Sequence, residues 1–350
     1  MTKNFIGYIG TYTKGDSEGI YSFTLDTEAE KITNVKLAAK LDNPTYLTIS
    51  DNNKFLYSVI KEGTLGGVAS YALNAETGMI EALNKQLAEG SPPCHVSVDA
   101  KSNVLLSSNY HKGTVDSYLI SQADGTIQPP SSIVEHHGSG PDHRQEKPHT
   151  HYAAFTPDEK FATVAELGSD KIYTYEVNNG TLKEVSRLSV QAGSGPRHMV
   201  FHPTKTIAYV MTEFSSEVIV LNYNTEDGSF TELQYIRAIP EDFTENNQGS
   251  AIHISSDGRF VYVGNRGHNS ISVFKVKEDS GELSLVEYTH TEGNWPRDFE
   301  LDPTERFIVA SNQESGSIIL FSRDKDTGKL TLLQSDISVP DPVCVKFLHV

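Results

Sequence analysis

A short turn followed by an apolar residue recurs seven times along this chain of 350 residues. The series is Glu30-Lys31-Ile32, Gly78-Met79-Ile80, Gly125-Thr126-Ile127, Gly180-Thr181-Leu182, Gly228-Ser229-Phe230, Gly281-Glu282-Leu283 and Gly328-Lys329-Leu330. The apolar members step by 48, 47, 55, 48, 53 and 47 residues, and six of the seven turns carry glycine. A fixed period in this range, with turn chemistry at one phase, marks a repeat architecture. One domain over residues 1–350 is therefore expected, although the length alone would allow two.

Residues 150–190 show what one repeat holds. Thr150–Phe155 and Phe161–Ala165 read as strands on either side of the turn Pro157-Asp158-Glu159-Lys160. Lys171–Val177 alternates with period two, Asn179-Gly180 is a hairpin turn, and Leu182–Val190 supplies a fourth strand. No window sustains helical spacing, so four short antiparallel strands per repeat describe a propeller blade. Aligning Phe55, Val104, Phe161, Ile207, Phe260 and Phe307 places blade starts at Pro44, Pro93, Thr150, Pro196, Gly249 and Pro296. A seventh start, Pro342, has only Val343–Val350 after it, while Phe5–Ile9 matches Phe55–Val59. The expected fold is all-β: a seven-bladed β-propeller with four antiparallel strands per blade. Its ring is closed by pairing N- and C-terminal strands in one blade, which removes an open sheet edge.

Charge narrows the partners. The formal net charge of −17 speaks against nucleic acid and anionic membranes. No apolar run approaches 18 residues, so no transmembrane helix is expected. The start Met1–Tyr8 lacks a secretory apolar stretch and already reads as a strand. With only Cys94 and Cys344 there is no disulfide framework, which favours a cytoplasmic protein. A monomer or weak homo-oligomer is the expected state. An anionic small molecule is compatible only if basic residues gather locally against the global sign.

The repeat phase finds such a gathering. An inner strand runs along the channel and the second strand returns, so the start of one and the end of the other share one mouth. Residues one or two after each phase point are Thr45-Tyr46, Cys94-His95, His151-Tyr152, Arg197-His198, Ser250-Ala251, Arg297-Asp298 and Val343-Cys344. Those 16 or 17 after it are Asn109-Tyr110, Glu166-Leu167, Thr212-Glu213, Asn265-Arg266 and Asn312-Gln313, with Ile60-Lys61 breaking the pattern in the first blade. Three arginines, several histidines and two glutamates converge. Solvated salt bridges to Glu166, Glu213 and Asp298 are the plain alternative to a reactive site.

The longest departure from the period is Ile133–His149, rich in histidine, between the second and third blades. It would lie over the same mouth as a polar loop or a substrate-contacting cap. His149 and His151 also suggest a metal pair, but no familiar ligand spacing accompanies them. Cys94 and Cys344 fall at strand starts on neighbouring blades and read as small fillers rather than nucleophiles. No Gly-x-Ser-x-Gly elbow or phosphate-binding glycine loop occurs.

Over essentially its whole length the chain resembles the seven-bladed propeller lactonases, which include bacterial 6-phosphogluconolactonases and fungal carboxy-muconate cyclases. The resemblance rests on Ile9-Gly10-Thr11-Tyr12-Thr13, Lys147-Pro148-His149-Thr150-His151, Gly195–Pro203, Glu213, Asn265-Arg266-Gly267 and Trp295-Pro296-Arg297-Asp298-Phe299. It implies a channel-mouth site that uses His151, Arg197, Glu213 and Arg266, with Arg297 close by. The expected reaction is metal-independent, cofactor-free hydrolysis of a phosphorylated sugar-acid lactone, most simply 6-phosphogluconolactone in the pentose phosphate pathway. Glu213 or His151 would be the general base, and Arg197 or Arg266 would stabilise the oxyanion. Arg297, His149, His198, Glu166, Asn109 and Gln313 are the candidate substrate-binding residues. A carboxy-muconate cycloisomerase and a non-catalytic binding propeller are the alternatives.

Overall fold

Each of the seven turn repeats closes the outer hairpin of a four-stranded antiparallel sheet. The six glycines hold φ between 68° and 75°, where a Cβ is strained, and Glu30 takes φ 54° at the seventh turn. These turns also join the blades. The hydroxyls of Tyr8, Thr174, Tyr209 and Tyr262 donate to the carbonyls of Gly78, Gly228, Gly281 and Gly328 on the following blade at 2.8–3.0 Å. At the glycine-free turn the side chain bridges instead: Glu30 Oε1 lies 3.6 Å from Arg306 Nη2 of the preceding blade.

The computed structural model describes residues 4–349, apart from the Asp336 side chain. Met1–Lys3 and Val350, which the sequence reading assigns to the closing strands, lie outside the described residues. Blades 1 to 6 follow chain order. Their inner strands are Leu47–Ile49, His95–Val98, Thr150–Phe155, Pro196–Phe201, Gln248–Ile254 and Pro296–Leu301. Blade 7 takes its inner strand, Pro342–Phe347, from the C-terminus and its other three from the N-terminus, as expected. The seam pairs Gly7 with Phe347, Tyr8 with Lys346 and Ile9 with Val345. Blade 1 begins at Leu47 rather than Pro44 because Asn43, at φ 49°, makes a turn in which Thr45 N donates to the Asn43 carbonyl.

Among the described residues there is no single central core. Seven separate apolar clusters form, one between each pair of adjacent blades. The apolar faces of facing sheets interlock there. No helix occurs among the described residues, so none is long and apolar enough to cross a membrane.

Candidate active site

At one mouth of the channel a cavity of about 860 Å³ opens. Its charged wall is Lys14, Lys61, Arg266, Arg297 and a single carboxylate, Glu213, with His151, His111, Tyr12, Tyr110 and Gln248 among the neutral residues. Two rules of strand geometry decide which side chains reach it.

The first is a bulge. In blades 3, 4 and 6 the inner-strand register slips at the second residue. Thr150 pairs with Glu166 and Tyr152 with Ala165, Pro196 with Thr212 and His198 with Met211, and Pro296 with Asn312 and Asp298 with Ser311. His151, Arg197 and Arg297 are the extra residues, and a bulge re-aims its side chain. The second rule is the period of two at the end of the second strand. In blades 2 and 4 the residue that ends the strand, Asn109 or Thr212, clamps its own loop, and the next one, Tyr110 or Glu213, faces the cavity. In blade 3 Glu166 likewise clamps its loop, but Leu167 after it is buried away from the cavity.

That alternation corrects two expected substrate contacts. Asn109 Nδ2 donates to Ser91 O and its Oδ1 accepts from His111 N and Lys112 N, while Tyr110 behind it lines the cavity. Glu166 is fully buried and accepts from the backbone N–H groups of His149, Gly168 and Ser169. Neither side chain lines the cavity. His149 is also withdrawn from it: Nδ1 meets Tyr110 O at 2.7 Å, Nε2 lies 3.3 Å from Glu146, and the ring stacks on Tyr110 at 4.2 Å. His198 sits one layer below the cavity floor, with Nε2 3.2 Å from His151 Nδ1. Gln313 Oε1 accepts from Arg297 Nη1 at 3.3 Å and so acts on the ligand only through that arginine.

The four residues expected to carry the chemistry do come together. Glu213 Oε2 accepts from Arg197 Nε at 3.0 Å and lies 2.7 Å from Arg266 Nη2. Arg197 also donates to Ser250 O, and Arg266 to Gly249 O, each at 2.7 Å. Gln248 completes the set when its amide N donates to Glu213 Oε1 and its O accepts from Arg144 Nη1, both at 3.3 Å. Burial alone would raise the Glu213 pKa, but Arg266 and Arg197 outweigh it and hold the carboxyl below its usual range. Burial draws Arg266 down to about 9 against the pull of Glu213. Burial, with the charges of Arg197, Arg297 and Arg266, pushes His151 well below the usual histidine range, so its ring is neutral at pH 7.

Gly249 shows how tightly the backbone holds this cluster. It has no room for a side chain, because a Cβ would stand 2.1 Å from Thr212 O. Gly249→Ala is expected to cost about 2 kcal/mol and to lower turnover by displacing the carbonyl that holds Arg266. Urea unfolding and a lactonase assay check this, and a variant unchanged in both would refute it. Trp295 is a second strained point: it holds φ 66°, costly for a bulky residue, with its indole 5.5 Å from the Arg266 guanidinium.

The phased sets omitted several residues of the site. Tyr12 and Lys14 lie in a loop after the second strand of blade 7, whose phase falls across the chain ends. Lys61, read as a break in the pattern, is part of the wall. Arg144, from the long insertion, stacks 4.0 Å over Phe214 and reaches Gln248, so that segment does contribute at the mouth. Cys94 also lines the cavity, but burial raises its thiol to about 11, which keeps it protonated. Cys94 and Cys344 belong to blades 2 and 7 with blade 1 between them, not to neighbouring blades. Among the described residues no three His, Cys, Asp or Glu side chains gather as a metal site.

Known proteins carry the same frame. Residues 6–347 match the family described as lactonase, 7-bladed beta-propeller. A 6-phosphogluconolactonase of Bacillus subtilis is 57% identical over 349 residues, covering 100% of this chain and 99% of the relative. A crystal structure of a protein from Lactobacillus plantarum superposes with a TM-score of 0.95 at 45% identity, covering 99% of this chain and all of that one. The periplasmic gluconolactonase of Pseudomonas aeruginosa gives a TM-score of 0.93 at 29% identity, covering 99% of each chain. By fold, by sequence over its whole length and by these relatives, the chain belongs to the seven-bladed β-propeller lactonase family.

Proposed function

We propose that this protein hydrolyses 6-phosphogluconolactone to 6-phosphogluconate, in the cytoplasm and within the pentose phosphate pathway, as a monomer or weak homo-oligomer. The observation that carries the reading is the charge of the cavity. Lys14, Lys61, Arg266 and Arg297 face one carboxylate in a protein whose net charge is −17. A concentration of positive charge against the global sign suits an anionic substrate. The name of the Bacillus subtilis relative supports the same substrate.

His151 serves as the general base. Two guanidiniums share Oε2 of Glu213 and hold its carboxyl below the usual range, which weakens it as a base. His151 instead lines the cavity as a neutral ring whose Nδ1 meets His198 Nε2, so Nε2 is the nitrogen that takes the proton. Water attacks the lactone carbonyl carbon as His151 takes its proton, and the carbonyl becomes an oxyanion beside Arg266. Collapse breaks the bond to the ring oxygen, His151 returns the proton to that oxygen, and the acid product ionises. Arg197, one layer behind, holds Glu213 and through it the orientation of Arg266. No step is routed through a metal.

The test is hydrolysis of freshly generated 6-phosphogluconolactone, corrected for spontaneous opening, with and without chelator. Turnover is expected to be indifferent to chelator, and loss of activity with chelator would overturn the metal-free route. His151→Ala is expected to lower kcat by about 10²-fold, the low end for a general base, because a base of such depressed pKa gains little from proton transfer. Wild-type turnover in that variant would remove His151 from the mechanism.

A further inference from the structure

We propose that Lys14 and Lys61, across the channel from the groups that act on the lactone, form the subsite for the substrate's phosphate group, with Arg297 of blade 6 standing between the two sides. The inference rests on the lactonase reading above and assigns the two ends of its substrate to opposite sides of the ring.

In a seven-membered ring, blades 7 and 1 face blades 3 to 5. His151, Glu213 and Arg266 belong to blades 3, 4 and 5, whereas Lys14 follows the first strand of the chain in blade 7 and Lys61 is the last residue but one of the second strand of blade 1. All line one cavity. In the substrate the phosphate hangs from the exocyclic carbon, away from the lactone carbonyl, so one molecule can present each end to its own wall.

Among the described residues, Lys14 and Lys61 have no carboxylate partner, although acidic groups stand close by. Those groups are engaged elsewhere: Glu18 by Lys40, Glu62 by Lys85, and Asp42 by Thr13 and Asn43. Lys14 instead lies 4.5 Å from the centre of the Tyr12 ring, and the Arg297 guanidinium lies 5.3 Å from the same ring. Tyr12 thus brings two cations together. The wall that carries them is pre-organised. Thr13 N donates to Asn43 Oδ1 at 3.2 Å, Asn43 N donates back to Thr13 Oγ1 at 3.1 Å, and Tyr12 N donates to Asp341 O at 3.0 Å. A phosphate monoester carries nearly two negative charges at neutral pH, and unpaired ammonium groups on a fixed wall meet it without breaking existing ion pairs.

The experiment compares 6-phosphogluconolactone with unphosphorylated gluconolactone for wild type, Lys14→Gln, Lys61→Gln, the double variant, and Lys277→Gln, whose partner is Glu282, as a control for loss of a paired surface charge. The preference for the phosphorylated substrate, as a ratio of kcat/KM values, is expected to fall about 30-fold in the double variant. Most of the loss should appear in KM, with partial recovery in Lys61→Arg and no change of ratio in Lys277→Gln. An active wild type whose ratio is unaltered by the double substitution overturns the subsite alone. Calorimetric binding of 6-phosphogluconate reads the subsite without turnover. A wild type that binds it through these lysines yet opens neither lactone supports the subsite and overturns the lactonase reading.

Discussion

Exchanging Glu213 for glutamine is expected to lower kcat/KM on 6-phosphogluconolactone by about 10⁴-fold and to destabilise the fold by about 3–5 kcal/mol. The stability effect follows from burial. Arg197 and Arg266 are each 3% exposed at the side chain and share Oε2 of one carboxylate. A neutral amide leaves two buried guanidiniums facing each other without a counter-charge, and their remaining partners are the carbonyls of Ser250, Gly249 and Gln248. The rate effect follows from orientation. A positioned donor at a developing oxyanion is worth about 10²–10³-fold, and Arg266 loses its anchor just as Arg197 loses the group that ties it to the site. Glu213→Asp separates the two effects: it keeps the charge and most of the stability, but withdraws the carboxylate from both donors and should remain strongly impaired. A glutamine variant within tenfold of wild-type activity at an unchanged urea midpoint would falsify this account of the site.

The ring and its reactive mouth were legible because turn and strand chemistry repeat. Gly78 through Gly328 mark one phase, and counting from it brings His151, Arg197, Glu213, Arg266 and Arg297 to one end. What phase could not supply was direction. Asn109 and Tyr110, or Thr212 and Glu213, share an address at the end of a strand, and only the register shows that the first turns into its loop and the second into the cavity. The bulges that swing out His151, Arg197 and Arg297 likewise exist only in pairing with a second strand. Tyr12, Lys14 and Arg144 escaped because they stand in loops outside the repeat, and loops carry no period. Glu166 misled for a physical reason as well. A carboxylate at the channel mouth looks like a reacting group, yet three backbone N–H donors consume it.

Between pH 7 and pH 5 the protein is expected to lose a large share of its stability, with a smaller loss as the pH rises from about 6.5 through 9. Burial lowers His95 to about 3 and His136 to about 4, and it holds His151 and His198 well below the usual range. In the unfolded chain these four bind protons below about pH 6.5, whereas in the native protein they do not. Their stabilising contribution is therefore complete above 6.5 and falls by about 1.4 kcal/mol per histidine per pH unit as the pH drops. For His95 and His136 together that is about 4 kcal/mol by pH 5, a large share of the stability of an ordinary domain, and His151 and His198 act in the same direction. Glu213 and Glu300 are not involved there. Both are depressed, Glu300 to about 2, so their contributions persist down to the usual carboxylate range and fade only below it. His253 has the opposite sign. Burial would lower it, but Glu300 and Asp298, each 3.4 Å away, raise it to about 9. Its contribution is complete below 6.5 and is lost as the pH rises through 9, at most about 3 kcal/mol. Urea midpoints from pH 5 to 9 should peak near neutrality with the steeper fall on the acid side. His95→Phe, at a ring packed 4.3 Å from Tyr46 and 4.8 Å from Tyr152, should flatten that acid limb by about 2 kcal/mol at pH 5. A midpoint constant from pH 5 to 7 would mean that the channel histidines accept protons in the folded protein, and a neutral His151 could then no longer be the base.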